Sequence, residues 1–147
     1  MLNKTLSEHG TVSRGVCGVD ANSNLVEINE RTKIYRKDGV IIYEDAGIVY
    51  EVPENSSVSM NFWCFHPAVF EVIGQLFAEF PKNNMDNLKA EFFIPIVADH
   101  FIKNGGSIIV LPTSAQWFGV TYKEDAPGVK KSIDTLISNG EYPAKLF

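Results

Sequence analysis

The stretch Asn29-Glu30-Arg31-Thr32 sets a carboxylate beside a guanidinium at the end of a strand-like run. A carboxylate accepts hydrogen bonds from sugar hydroxyls, and an arginine fork binds phosphate oxygens, so Glu30 and Arg31 could read a polyol and its phosphate together. The same residues equally suit a solvated strand end with surface charges. Asn61 sits between Met60 and Phe62 in the middle of an apolar run, where it either faces solvent or meets a ligand. Glu91, just ahead of Phe92-Phe93, is either a ligand-binding carboxylate or the N-terminal acid of a helix. Trp117-Phe118-Gly119 places two large aromatics beside a glycine, which reads either as a core turn or as part of a site.

Other chemistries lack their residues. His9, His66 and His100 fall in no His-x₃-His or His-Glu pattern, so no zinc site is expected. Asp99 and His100 are adjacent on a helix, about 100° apart, and do not form a natural dyad. No Gly-x-Ser-x-Gly elbow is present for a serine nucleophile. Cys17 and Cys64 lie far apart in apolar runs and are expected to be buried free thiols, as in a reducing cytoplasm. No glycine-rich loop opens a strand–helix unit, as a nucleotide-binding fold requires.

The elements that must position these residues begin with β-structure. Residues 11–20 alternate small apolar and polar side chains, Asp20 to Asn24 supply turn chemistry, and 25–28 resume as the second strand of a hairpin. Residues 33–36 and 40–43 flank a turn at Lys37-Asp38-Gly39, and 48–52 form a further short strand. The segment 33–57 thus reads as a β-hairpin excursion. Residues 58–65 are expected as a strand, with Val58, Met60, Phe62 and Cys64 on one face and Ser59, Asn61, Trp63 and Phe65 on the other. Val69, Phe70, Ile73, Leu76, Phe77 and Phe80 are expected to make one buried helical stripe, closed by a polar break over 81–87. A second helix is expected over about 92–103, with Pro95 in its first turn. Residues 107–111 (SIIVL) read as a fully buried strand, and a last helix starts near Asp125. The whole is α/β: a mixed β-sheet with flanking helices in one domain spanning 1–147.

At 147 residues, 45% hydrophobic and 21% charged, the composition is that of a folded chain with a sizeable core. A net charge of −5 argues against nucleic acid or anionic membrane as a partner. The first ten residues lack the apolar core of a signal peptide, and no apolar run nears the ~20 residues of a membrane span. A cytoplasmic location is the expectation.

In this order the pieces resemble the C-terminal half of the nucleotidyltransferases that make nucleotide sugars, such as the glucose-1-phosphate uridylyl- and thymidylyltransferases. The resemblance covers roughly residues 12–138. It rests on Gly15-Val-Cys-Gly-Val-Asp20, the hairpin to Glu30-Arg31-Thr32 where the family has Glu-Lys-Pro, residues 57–65, Leu88-Lys-Ala-Glu-Phe92, and Gln116-Trp-Phe-Gly-Val-Thr-Tyr-Lys-Glu-Asp125. It implies the C-terminal part of a Rossmann-like nucleotide-diphospho-sugar transferase fold. Glu30, Asn61 and Glu91 would hold the sugar ring and Arg31 the sugar phosphate, which attacks the α-phosphate of a nucleoside triphosphate and releases pyrophosphate. Mg2+ is implied for the parent enzyme and none for this chain alone. The family's Gly-x-Gly-x-Arg loop, its Lys and its first metal-binding Asp are missing here, and Gly119 stands where the second metal-binding Asp would be. The expectation is therefore a C-terminal fragment of a longer transferase, inactive alone, with either Glu124 or Asp125 as the substitute carboxylate. Two other readings stay open. One is a non-catalytic sugar-phosphate-binding module. The other is a homo-oligomerisation unit built on the 33–57 edge.

Overall fold

The computed structural model describes residues 1–145 apart from Glu8, Ser114 and Thr121. Strands β1 (Val12–Val19), β2 (Leu25–Lys37), β3 (Val40–Asp45), β4 (Ile48–Glu51) and β5 (Ser57–Val58) form one sheet in the order β4-β3-β2-β1-β5. Three helices follow: α1 (Val69–Asn83), α2 (Ile94–Lys103) and α3 (Ala126–Ser138). The chain is α/β, as expected, but every strand pairing is antiparallel rather than mixed. Short turns join the first four strands, so no crossover arises to make a parallel pair.

Turn residues fix the hairpins. Asp20 Oδ1 accepts from the backbone N–H groups of Asn22 and Asn24, both at 2.8 Å, and closes the β1–β2 loop. Asp38 and Gly39 both have positive φ (49° and 86°), as do Ala46 and Gly47 (48° and 81°). Two such residues make the primed turns whose twist matches that of the flanking strands.

Two irregularities in β2 decide what faces where. Gly18 pairs with Glu27 while Val19 pairs with Leu25, and Arg14 pairs with Arg31 while Val12 pairs with Ile34. Each is a bulge with an extra residue in β2; at the second, Lys33 has φ 51°. The first lets Leu25 and Ile28 face the same way although they are three apart, and the second does so for Arg31 and Ile34. Leu25 and Ile28 pack with Ala98 of α2, against Cys17, Trp63, Phe65, Ile102, Ile108 and Val110. On the opposite face, Val12, Ile34 and Ile41 pack with Leu2 and Val52. Leu2, Ile34 and Ile41 are fully buried, each contributing about 1.5–3 kcal/mol by leaving water.

Helix α2 lies on β2, with Pro95 in its first turn as expected, and α1 packs against α2. Phe92 ties the two together, its ring 5.4 Å from Phe77 and 5.3 Å from Phe80. Helix α1 forms, but its expected buried stripe does so only in part: Val69 is buried and Ile73, Leu76 and Phe80 are half-buried, while Phe70 and Phe77 are exposed. The helix also runs through Pro81 to Asn83, where the Asn84 side chain donates to the Phe80 carbonyl. A proline in the last turn forfeits one hydrogen bond without breaking the helix.

Two expected strands are absent. Of residues 58–65 only Val58 is paired, because β5 stops there; Trp63 and Phe65 stack on each other and reach the α2-side core, while Phe62 is 94% exposed. Residues 107–111 make a single bridge, Asn24 to Ile109, with Ile109 and Leu111 exposed rather than fully buried. This segment lies alongside only the first residues of β2, which gives it one line of partners. Cys64 is likewise exposed, not buried, although both cysteines are free thiols. Burial pushes the half-buried Cys17 thiol up to about 11, which suppresses the reactive thiolate. Among the described residues no helix is long and apolar enough to cross a membrane.

Candidate functional site

Glu30 stands opposite Gly15 in the β1–β2 register. Gly15 is buried, and a Cβ there would come within 3.0 Å of Ile28 Cδ1 and 3.2 Å of Pro95 Cγ. The missing side chain therefore admits the first turn of α2 close against the sheet. That approach brings the segment entering α2, with Glu91, into the electrostatic neighbourhood of Glu30. Burial pushes the Glu30 carboxyl above its ordinary value, the Arg14 guanidinium pulls it down, and Glu91 pushes it up further. Two of the carboxylates singled out in the sequence are thus close enough to repel each other.

Arg31 does not join them. Successive strand residues point to opposite faces. Glu30 shares the α2 face with Ile28, whereas Arg31 lies with Ile34 and the N-terminal layer. Its guanidinium sits 4.8 Å from the centroid of the Tyr43 ring on β3. The expectation that Glu30 and Arg31 act side by side assumed that the strand ended there, but β2 continues to Lys37.

Asn61 is also displaced from its expected place. It lies in an irregular segment rather than mid-strand, is exposed, and has φ 54°, a conformation asparagine tolerates better than most residues. Ser59, two residues earlier, donates its N–H to the Gly15 carbonyl at 2.8 Å, which keeps Asn61 near the Gly15 end of β1.

Arg14 is the cation the sequence reading missed. Its guanidinium donates to the carbonyls of Ser13 and Thr5 and lies 4.6 Å from the centroid of the Trp117 indole. Burial pulls its pKa below the ordinary value and Glu30 pushes it back. Only the pairing register reveals this neighbour, which lies sixteen residues from Glu30 in the chain.

The metal-ligand set implied by the resemblance does not fit the residues present. A Cβ at Gly119 would collide with the Trp117 indole, so the ring occupies the space that an aspartate there would need. Asp125 is engaged as a cap, accepting from the Tyr122 N–H at 2.8 Å and from the Ser7 hydroxyl at 3.1 Å. Among the described residues no three His, Cys, Asp or Glu side chains gather as a metal would require. Compared with known protein families and with the curated proteins, the chain matches none.

Proposed function

We propose that this chain is the sugar-phosphate-binding part of a cytoplasmic nucleotidyltransferase that joins a nucleoside triphosphate to a sugar 1-phosphate with release of pyrophosphate. The observation that supports it is the half-buried Glu30 carboxyl, within electrostatic reach of Arg14 and of a second carboxylate, Glu91. Glu30 and Glu91 would accept hydrogen bonds from sugar hydroxyls. Arg14 would steady Glu30 in its ionised form, and Asn61 would contribute from the loop beyond β5. Arg31, on the opposite face, would reach a phosphate only by leaving Tyr43. The reading asks for a parallel nucleotide-carrying sheet of the Rossmann-like kind, to which the antiparallel strands described here would be the C-terminal addition. The triphosphate and its Mg2+ would be held by residues outside these 147, so the chain alone turns nothing over.

Calorimetric titration with glucose 1-phosphate tests the binding half of this reading. Glu30→Gln and Glu91→Gln should each weaken binding about tenfold or more, because each leaves sugar hydroxyls without a charged acceptor. Absence of binding to the unmodified chain would sink the reading, as would pyrophosphate release by the chain alone.

A second reading rests on β4. Ile48, Val49 and Tyr50 of this outermost strand are exposed, and an uncovered apolar edge is a pairing surface. In that case light scattering after size exclusion would show a dimer indifferent to glucose 1-phosphate.

A further inference from the structure

Helix α3 is held far more loosely than the sheet. Among the described residues none of α3 is fully buried, and its stripe of Val129, Ile133, Leu136 and Ile137 is half-buried. The turn ahead of the helix fastens it to the N-terminal segment. Tyr122 donates its hydroxyl to the Thr11 carbonyl at 3.1 Å, and its ring lies over Gly10, where a Cβ would collide with it. Asp125 closes the 3-10 turn Lys123–Asp125 by accepting from the Tyr122 N–H. The same carboxylate accepts from the Ser7 hydroxyl at 3.1 Å, with His9 Nε2 3.9 Å away. Shortly before this turn, Trp117 donates its N–H to the Lys4 carbonyl at 3.3 Å and lays its indole against the Arg14 guanidinium. Arg14 is in turn the cation beside Glu30.

We propose that residues 122–138 are a detachable strap, buckled by Tyr122 and Asp125 onto Ser7, Gly10 and Thr11, that opens while the sheet stays folded and on opening draws Trp117 off Arg14. Few buried apolar groups and polar contacts close to solvent place the strap at the low-stability end of the molecule. A helix of 13 residues is marginal alone in water, so α3 unwinds once released and its amides exchange with solvent. Gly10 has a specific part, because the lack of a Cβ lets the Tyr122 ring close over the N-terminal segment. Withdrawal of the indole leaves Arg14 free to swing from Glu30, so the docked strap holds the cation at the Glu30–Glu91 pair. That last link rests on the reading of Glu30 as a sugar-binding carboxylate. The strap itself does not, and its test needs no ligand.

The test is native-state hydrogen exchange of the backbone amides, followed by ¹H–¹⁵N spectra across low urea concentrations. The α3 amides should be protected, yet at least about a hundredfold less than those of the β1–β2 ladder, with little dependence on urea, the mark of a small local opening. Tyr122→Ala removes one hydrogen bond and the ring contact, and should speed α3 exchange about tenfold. Gly10→Val should do the same from the other side of the contact, by pushing the ring away. Both should leave the β1–β2 amides within about twofold and should speed the Trp117 amide together with α3. Protection of α3 equal to that of β1–β2, with the same urea dependence, would overturn the proposal, because the helix would then open only with the whole molecule. Unprotected α3 amides would overturn it too, as would variants that speed the sheet as much as α3 or leave α3 unchanged. A Trp117 amide that keeps its rate would overturn the link to Arg14. Failure of glucose 1-phosphate to bind would leave all these rates untouched, so the two readings fall separately.

Discussion

The sheet and the helical part of this molecule bury their apolar residues very differently. In the sheet and the N-terminal turn packed on it, Leu2, Ile34 and Ile41 are sealed, and each face of the β1–β2 pair has its own core. In the helices and the loops around them, Phe62, Phe70, Phe77, Met85, Leu88 and Leu111 are more than half exposed. Helix α3 buries no residue fully, although Val129, Ile133, Leu136 and Ile137 form the expected stripe. Packing is thus closed over the sheet and the inner face of α2, where Val97 and Ala98 are fully buried, while the rest of the helical side presents apolar surface of the kind a partner would cover, as the proposed role in a larger transferase would have it.

Truncation separates the two regions most sharply. Ile34→Ala should cost about 2–5 kcal/mol in urea unfolding, whereas Leu88→Ala, at a fully exposed side chain, should stay within about 0.5 kcal/mol. Comparable losses at both positions would show that the helical side is as tightly packed as the sheet.

Next in size is Gly119→Asp. The new side chain must displace the Trp117 indole, at a cost of about 1–3 kcal/mol and with a shift in tryptophan emission. It should not create Mg2+ affinity, because among the described residues no set of carboxylates gathers as a metal would require; an Mg2+-dependent rise in melting temperature would contradict this account. Replacing Phe62 and Leu88 together by serine should lower the binding of an apolar surface dye with little change in stability. Unchanged dye binding would locate the sticky surface elsewhere.

The smallest expected effect is electrostatic. The Glu30 carboxyl is raised in the folded protein, so the folded state holds its proton more tightly than the unfolded state does. Its contribution to stability is most favourable below the ordinary carboxylate value and falls as pH rises through the folded pKa. Glu30→Gln removes this penalty and should melt slightly higher than the unsubstituted chain near pH 7, the difference fading as the buffer is taken to pH 4 and below. Glu91→Gln should act in the same direction more weakly, and a lower melting temperature for Glu30→Gln at pH 7 would show that Arg14 dominates instead.

What the sequence made legible was local. The Asp20–Asn24 loop, the Asp38-Gly39 turn, Pro95 in the first turn of α2 and the existence of helix α1 all declare themselves through short-range chemistry. The glycine ends of α2 and α3, with Gly105 and Gly140 at positive φ, belong to the same class. What stayed hidden depends on pairing. The bulges in β2 re-aim Arg31 and Ile34, and no local pattern announces them. The run SIIVL reads as a buried strand from composition, yet burial also needs neighbours, and residues 107–111 have them on one side only. Of the site, Glu30 and Glu91 come within electrostatic reach of each other, Arg31 lies on the other face of β2, and Arg14 emerges only from the register.

The most direct measurement is a ¹H–¹⁵N chemical-shift map of the chain titrated with glucose 1-phosphate. The account predicts saturable shifts concentrated at Gly15, Glu30, Asn61 and Glu91, lost in Glu30→Gln. Shifts confined to the β4 edge, or no shifts at all, would contradict it.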